Sequence, residues 1–116
     1  MDKPAIGHKQ SRHLAAFVLL FLREEPSHGA ALLARMEAEM PHCLADSAGL
    51  YRTLQALERE GAVVTSWEAQ ASGAPRKVYT VTRKGRAALR VFDEDIRDRE
   101  ENLRFFLKRY RAIGED

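Results

Sequence analysis

Ser47, Tyr51, Arg52, Gln55 and Arg59 recur at helical spacing along residues 47–60 and gather hydroxyl, guanidinium and amide groups on one side of a helix. Such groups recognise by hydrogen bonding; nothing in the set resembles a nucleophile with its base. Arg52 and Gln55 have the paired donors and acceptors that match guanine and adenine edges in a DNA major groove, each good pair discriminating by about 1 to 3 kcal/mol. Tyr51, and Ser47 at the helix start, suit phosphate oxygens and would set register. Further along, Arg76 and Lys77 follow a Gly- and Pro-containing turn and can straddle a neighbouring minor groove or its phosphates. His28 and Arg59 are additional candidate contacts. The competing reading of these residues is a solvated helix face with ordinary strand-edge charge; the basic segment that follows favours the nucleic-acid reading.

That segment holds Arg76, Lys77, Arg83, Lys84, Arg86 and Arg90 with no acidic residue between positions 70 and 92. The chain's net charge of +2 conceals it: residues 1–92 carry +4 and residues 93–116 carry −2. A local field of that sign attracts a polyanion. Arg83, Lys84 and Arg86 have a second use, balancing the acidic tail.

Other chemistries find little support. No glycine-rich phosphate loop, nucleophile elbow or carboxylate pair points to an enzyme. Cys43 beside His42 is not a coordination shell, and His8, His13 and His28 lack metal-ligand spacing, so neither metal nor cofactor is expected. A thiol-sensing role for Cys43 stays open. One cysteine allows no internal disulfide and suits a reducing compartment, with the cytoplasm the natural assignment. The apolar run at 14–22 is too short to span a bilayer, and no cleavage site follows it, so no membrane or signal segment is expected.

The elements that would carry these residues are legible in outline. Residues 1–10 read as a loose arm, with order beginning near Ser11. Residues 12–24 form a first helix, apolar over most of its circumference and so buried on more than one side. Pro26 breaks the chain, Ser27 is placed to cap a second helix ending near Met40, and Leu32, Leu33, Met36 and Met40 supply its buried stripe. The third helix has Asp46 or Ser47 as cap and buries Leu50, Leu54 and Leu57. Gly61 stops it. A hairpin follows, with strands at 62–68 and 76–82 around a tip at 69–75, and Thr82 caps a long final helix over 83–113. The order is that of a mainly helical α+β fold, a winged helix-turn-helix at 11–82 with a long C-terminal helix at 83–113.

Pro26-Ser27-His28-Gly29, then Gly49-Leu50-Tyr51-Arg52-Thr53-Leu54, Leu57-Glu58-Arg59-Glu60-Gly61, Trp67-Glu68, Pro75-Arg76-Lys77-Val78-Tyr79 and Thr82-Arg83-Lys84-Gly85-Arg86 occur in this order and spacing. Together they resemble the PadR family of bacterial transcriptional regulators, over residues 14–89, and the length resembles its short branch with a single terminal helix. The resemblance implies a homodimer, paired through the terminal and first helices, that binds promoter DNA, usually as a repressor, and is released by a small molecule or another signal. Ala30, where the family more often has an aromatic residue, and Val78, where a second tyrosine is common, depart from its pattern without removing a group expected to touch DNA.

The final helix places Leu89, Phe92, Ile96, Leu103, Phe106, Tyr110 and Ile113 at intervals of three and four, interrupted where Arg99 stands. Sustained over that length, the pattern argues for packing against another chain, with the first helix taking part. A dimer would set two reading helices about one DNA turn apart, so the operator should be an inverted repeat. Phe17, Phe21, Phe92, Phe106 and Tyr110 are the candidates for a pocket at this seam holding a small apolar or aromatic effector, against the plainer reading that they are core. A winged-helix module that binds another protein is the remaining alternative; salt-sensitive DNA affinity separates the two.

Overall fold

The computed structural model describes residues 13–43 and 45–114; the expected arm at 1–10 and the start of the winged-helix unit at 11 lie outside them. Helix α1 spans Leu14–Glu24 and buries Ala16, Val18, Leu19, Phe21 and Leu22, on more than one side as its composition predicts. Its C-terminal carbonyls are held from a distance. The Arg35 guanidinium donates to the backbone oxygens of Phe21 (3.0 Å) and Glu25 (3.3 Å) while lying 5.4 Å above the Phe21 ring. One side chain thus adds a second donor to the Phe21 carbonyl, which already accepts from the Glu25 N–H, supplies one to the Glu25 carbonyl, and braces the next helix against the end of α1.

After Pro26 the chain forms a two-residue strand that the sequence does not announce. Strand β1, Ser27–His28, pairs antiparallel with the later return strand, Ser27 opposite Tyr79 and His28 opposite Val78. Ser27 is therefore not the cap of the second helix. That place belongs to His28, whose Nδ1 accepts from the Ala31 backbone N–H at 3.3 Å. Helix α2, Gly29–Glu39, buries Leu32 and Met36, with Leu33 and Met40 partly covered. Met40 turns extended ahead of Pro41, as a residue before proline must.

Helix α3, Ser47–Arg59, is capped by Asp46, whose carboxylate accepts from the Gly49 N–H at 2.7 Å. Gly61, at φ 81°, turns the chain into strand β2, Val63–Glu68. Strand β3, Arg76–Val81, returns antiparallel in a register running from Val63 opposite Val81 to Glu68 opposite Arg76. The sheet therefore has three strands, ordered β1-β3-β2, rather than the two of a bare hairpin. Val18, Leu19, Leu22, Leu32, Met36, Leu50, Leu54, Leu57, Val63, Tyr79 and Val81 form one core between the helices and this sheet. Each fully buried leucine there is worth roughly 1.5–3 kcal/mol.

Thr82 caps helix α4, Arg83–Ile113, and does more than cap it. Its Oγ1 accepts from the Gly85 N–H at 3.1 Å and donates to the Gly61 carbonyl at 2.6 Å, while its own N–H donates to the Ala62 carbonyl at 3.0 Å. Gly85 is buried at this joint, and a β-carbon there would collide with the Ala62 carbonyl and the Val81 side chain. Helices α1 to α3 with the sheet make a winged helix-turn-helix, and α4 leaves it as a long projection that draws the molecule out to 59 × 28 × 24 Å. Among the described residues no helix is long and apolar enough to cross a membrane.

Candidate nucleic-acid interface

Helix α3 is held by one face and offered by the other. Leu50 and Leu54 are wholly buried and Leu57 nearly so, whereas Ser47, Ala48, Tyr51, Arg52, Gln55 and Arg59 are exposed. The two sides are about half a helical turn apart, so clamping the leucines into the core aims the polar groups outward as a set.

The wing is fixed to this helix by a residue that sequence reasoning passed over. Glu58 accepts from the Thr65 hydroxyl on β2 at 3.2 Å with one carboxylate oxygen and from the Lys77 ammonium on β3 at 3.3 Å with the other. The Lys77 ammonium also lies 5.6 Å from the Tyr79 ring centroid. Lys77 is thus turned back towards α3, a different setting from the free groove-straddling charge expected of it. Burial pushes the Tyr79 phenol above its ordinary pKa, and the Lys77 charge works against that rise. Its partner in the expectation, Arg76, is exposed, and its guanidinium lies 2.9 Å from His28 Nε2.

The fold therefore gathers His28, Tyr51, Arg76 and Lys77, which are scattered in sequence, around a shallow cavity of about 320 Å³ beside the start of α2. The Tyr51 ring lies across Gly29, whose missing side chain leaves room for it. Arg52, Gln55 and Ser47 line none of this cavity and stay on the open helix face; Arg59 stands in the last turn of α3. Trp67 is a second residue missed. It stands opposite Lys77 near the tip of the wing and is 68% exposed, where the sequence alone assigns it no role of its own. Arg83, Lys84 and Arg86 are exposed on the first turn of α4.

The residues assigned to a seam divide in two. Leu89 and Phe92 pack partly buried against the chain's own core. Beyond them Ile96, Leu103, Phe106, Tyr110 and Ile113 are exposed, as are Phe105 and Leu107, and the Phe106 and Tyr110 rings stack at 5.9 Å. The break in the pattern at Arg99 is a polar cluster: Asp95 Oδ2 accepts from Arg99 Nε at 3.0 Å and meets His13 Nε2 at 3.2 Å. Those two partners, His13 first, hold the Asp95 carboxyl below its ordinary pKa.

A groove of about 520 Å³ runs here between α1 and α4, with Phe17, Ile96, Leu103 and Leu107 as its apolar lining. Of the five aromatics expected to share a pocket, only Phe17 lines this groove. Phe21 is sealed in the core under Arg35, Phe92 packs on that core, and Phe106 and Tyr110 pair farther along α4. Their sequence spacing follows the helices, but the direction in which each side chain leaves its helix separates them. Cys43 is a half-buried free thiol packed beside the core, and no group of metal-ligating side chains occurs among the described residues.

A search of curated protein sequences gives no match. Among solved structures, a PadR family transcriptional regulator from Eggerthella lenta is 25% identical, with a TM-score of 0.76 over 90% of this chain and 89% of its own. A PadR family transcription regulator from Clostridium difficile shares the fold at 18% identity, with a TM-score of 0.71 over 82% of this chain and 98% of its own. Bacillus subtilis PadR, solved in complex with operator DNA, is 24% identical, with a TM-score of 0.65 over 71% of this chain and 47% of its own. The family model described as transcriptional regulator PadR-like matches residues 18–91, more than half of the sequence, and the chain belongs to that family.

Proposed function

We propose that this regulator binds DNA in a sequence-dependent way as a homodimer, with α3 in the major groove and the wing beside it, and that it acts as a repressor. The observation that carries this reading is the two-sided burial of α3, which presents Arg52 and Gln55 outward while Leu50 and Leu54 lock the helix in place. The Bacillus subtilis relative bound to operator DNA supports the same use of the fold. Arg52 and Gln55 supply base preference, and Ser47, Tyr51, Arg76 and Lys77 supply register through phosphates.

The exposed apolar side chains of α4 from Ile96 onward support pairing with a second copy, since a contiguous uncovered patch of this kind is rare on a monomer. A pair so joined would read an inverted repeat. The groove lined by Phe17, Ile96, Leu103 and Leu107 is the place for a small apolar or aromatic effector that changes the angle between subunits.

The test is the affinity of the purified protein for the DNA upstream of its own gene as salt is raised. It should fall steeply, because each phosphate contact releases counterions. Arg52→Ala should cost about 1–3 kcal/mol on the preferred sequence and relax preference, while Lys77→Ala should weaken all sequences alike. A folded dimer without salt-sensitive DNA affinity would instead be a protein-interaction module.

A further inference from the structure

His28 is caught between two donors. Its Nδ1 accepts from the Ala31 N–H at 3.3 Å, and its Nε2 faces the Arg76 guanidinium at 2.9 Å. A neutral imidazole has one acceptor nitrogen and one N–H, an imidazolium has two N–H groups, and a guanidinium only donates. No protonation state therefore satisfies both contacts. If Nδ1 keeps the helix cap, Nε2 carries hydrogen and points it at another N–H. If Nε2 accepts from Arg76, the cap is lost.

An acceptor seated in the adjoining cavity, within reach of both side chains, removes the conflict. With an anionic oxygen there, His28 keeps Nδ1 for Ala31 and donates Nε2–H outward, and Arg76 donates beside it. The surroundings are those of an anion seat: the cavity of about 320 Å³ is lined by His28, Arg76, Lys77 and Tyr51 and by no acidic residue. The Glu58 carboxylate, which contacts the lining through Lys77, is engaged by Lys77 and Thr65, and Glu68 stands across from Arg76 on the exposed strand pair.

We propose that the cavity beside His28 and Arg76 seats one phosphodiester of the DNA backbone, within reach of both side chains and with His28 acting as a neutral donor through Nε2–H. The inference rests on the DNA-binding reading and adds to it a specific seat joining the start of α2 to the wing. Because β1 places His28 in register with Val78 and the wing strand carries Arg76 two residues earlier, a single phosphate there ties the helix-turn-helix to the wing.

Two substitutions separate the roles of the imidazole. His28→Asn puts an amide oxygen where Nδ1 stands, keeping the cap, and removes the outward donor. It should leave thermal stability near that of the parent and lower DNA affinity about tenfold for every sequence, the loss of one hydrogen bond to a charged group. The salt slope should not change, since no charge is lost. Arg76→Ala, on an exposed strand position, should also weaken all sequences and reduce the slope by about one counterion. A duplex scanned with single neutral methylphosphonates should show one position per half-site whose cost to the parent protein is reduced in both variants, because each keeps only one of the two donors.

Parental affinity in His28→Asn, a loss that depends on base sequence, or the absence of such a coupled position overturns the proposal. If His28→Asn does not fold, Arg76→Ala with the same scan decides it. Inorganic phosphate, added at constant ionic strength, should not release DNA at millimolar levels; release that His28→Asn abolishes would assign the seat to a free anion and overturn the DNA assignment. No salt-dependent DNA affinity in the unmodified protein would instead defeat the underlying reading.

Discussion

Glu58, Arg35 and Gly85 do the joining in this molecule, each through contacts with distant parts of the chain. Glu58 reaches Lys77 across 19 positions, and Arg35 reaches the Phe21 carbonyl across 14. Gly85 admits the Ala62 carbonyl against the first turn of α4, so Gly85→Ala must move backbone rather than a side-chain tip. Overpacking of this kind costs about 1–3 kcal/mol, and the thermal midpoint of Gly85→Ala should fall by several degrees with the DNA-facing side chains untouched. A differential scan against the parent checks it; an unchanged midpoint would show that the joint yields. Residues of this type were not legible in the sequence, because an exposed-looking Glu or Arg carries no local sign of its partner. Leu50, Leu54 and Leu57 were legible, because their partner surface follows from their own helical period.

At the scale of elements, the caps illustrate which signals are local enough to read. Thr82 and the Asp46–Ser47 alternative were both visible, since a capping side chain reaches only two or three residues ahead. Asp46→Ala removes the acceptor for the Gly49 N–H and should cost about 1 kcal/mol, seen as a lower denaturant midpoint at unchanged slope. Strand β1 was not visible, because two residues show no alternation and their pairing depends on β3, some fifty positions away. The same strand moves the α2 cap from Ser27 to His28.

Helix α4 is tied to α1 by Asp95, whose carboxyl is held below its ordinary 3.8 by His13 and Arg99. A carboxyl with a lowered pKa stabilises the folded state above its unfolded value and loses that contribution as pH falls through the folded one. Unfolding followed from about pH 6 downward should therefore show a loss below the ordinary carboxylate range that Asp95→Asn lacks. An identical acid profile in both proteins would remove Asp95 from the account.

For the whole molecule, the sequence showed a heptad stripe without showing what covers it. Apolar spacing is the same whether the neighbour is the chain's own core, as for Leu89 and Phe92, or a second copy, as proposed for the uncovered positions from Ile96 onward. On the proposed pairing, Leu103→Glu should spare the fold and convert the dimer to monomer in sedimentation at micromolar concentration. DNA affinity should fall with it, since one reading helix replaces two. Dimers of Leu103→Glu as tight as those of the parent would show that the stripe serves another purpose.

The cap at Thr82 and the close approach at Gly85 make the base of α4 a stiff mounting. A 31-residue helix rising 1.5 Å per residue is about 46 Å long, so a tilt of about 10° at its mounting displaces the far end by about 8 Å. In the proposed pair the helix would be a lever: a ligand that changed the angle between the two arms would turn the rigidly mounted reading heads with them and throw them out of step with the pitch of the duplex.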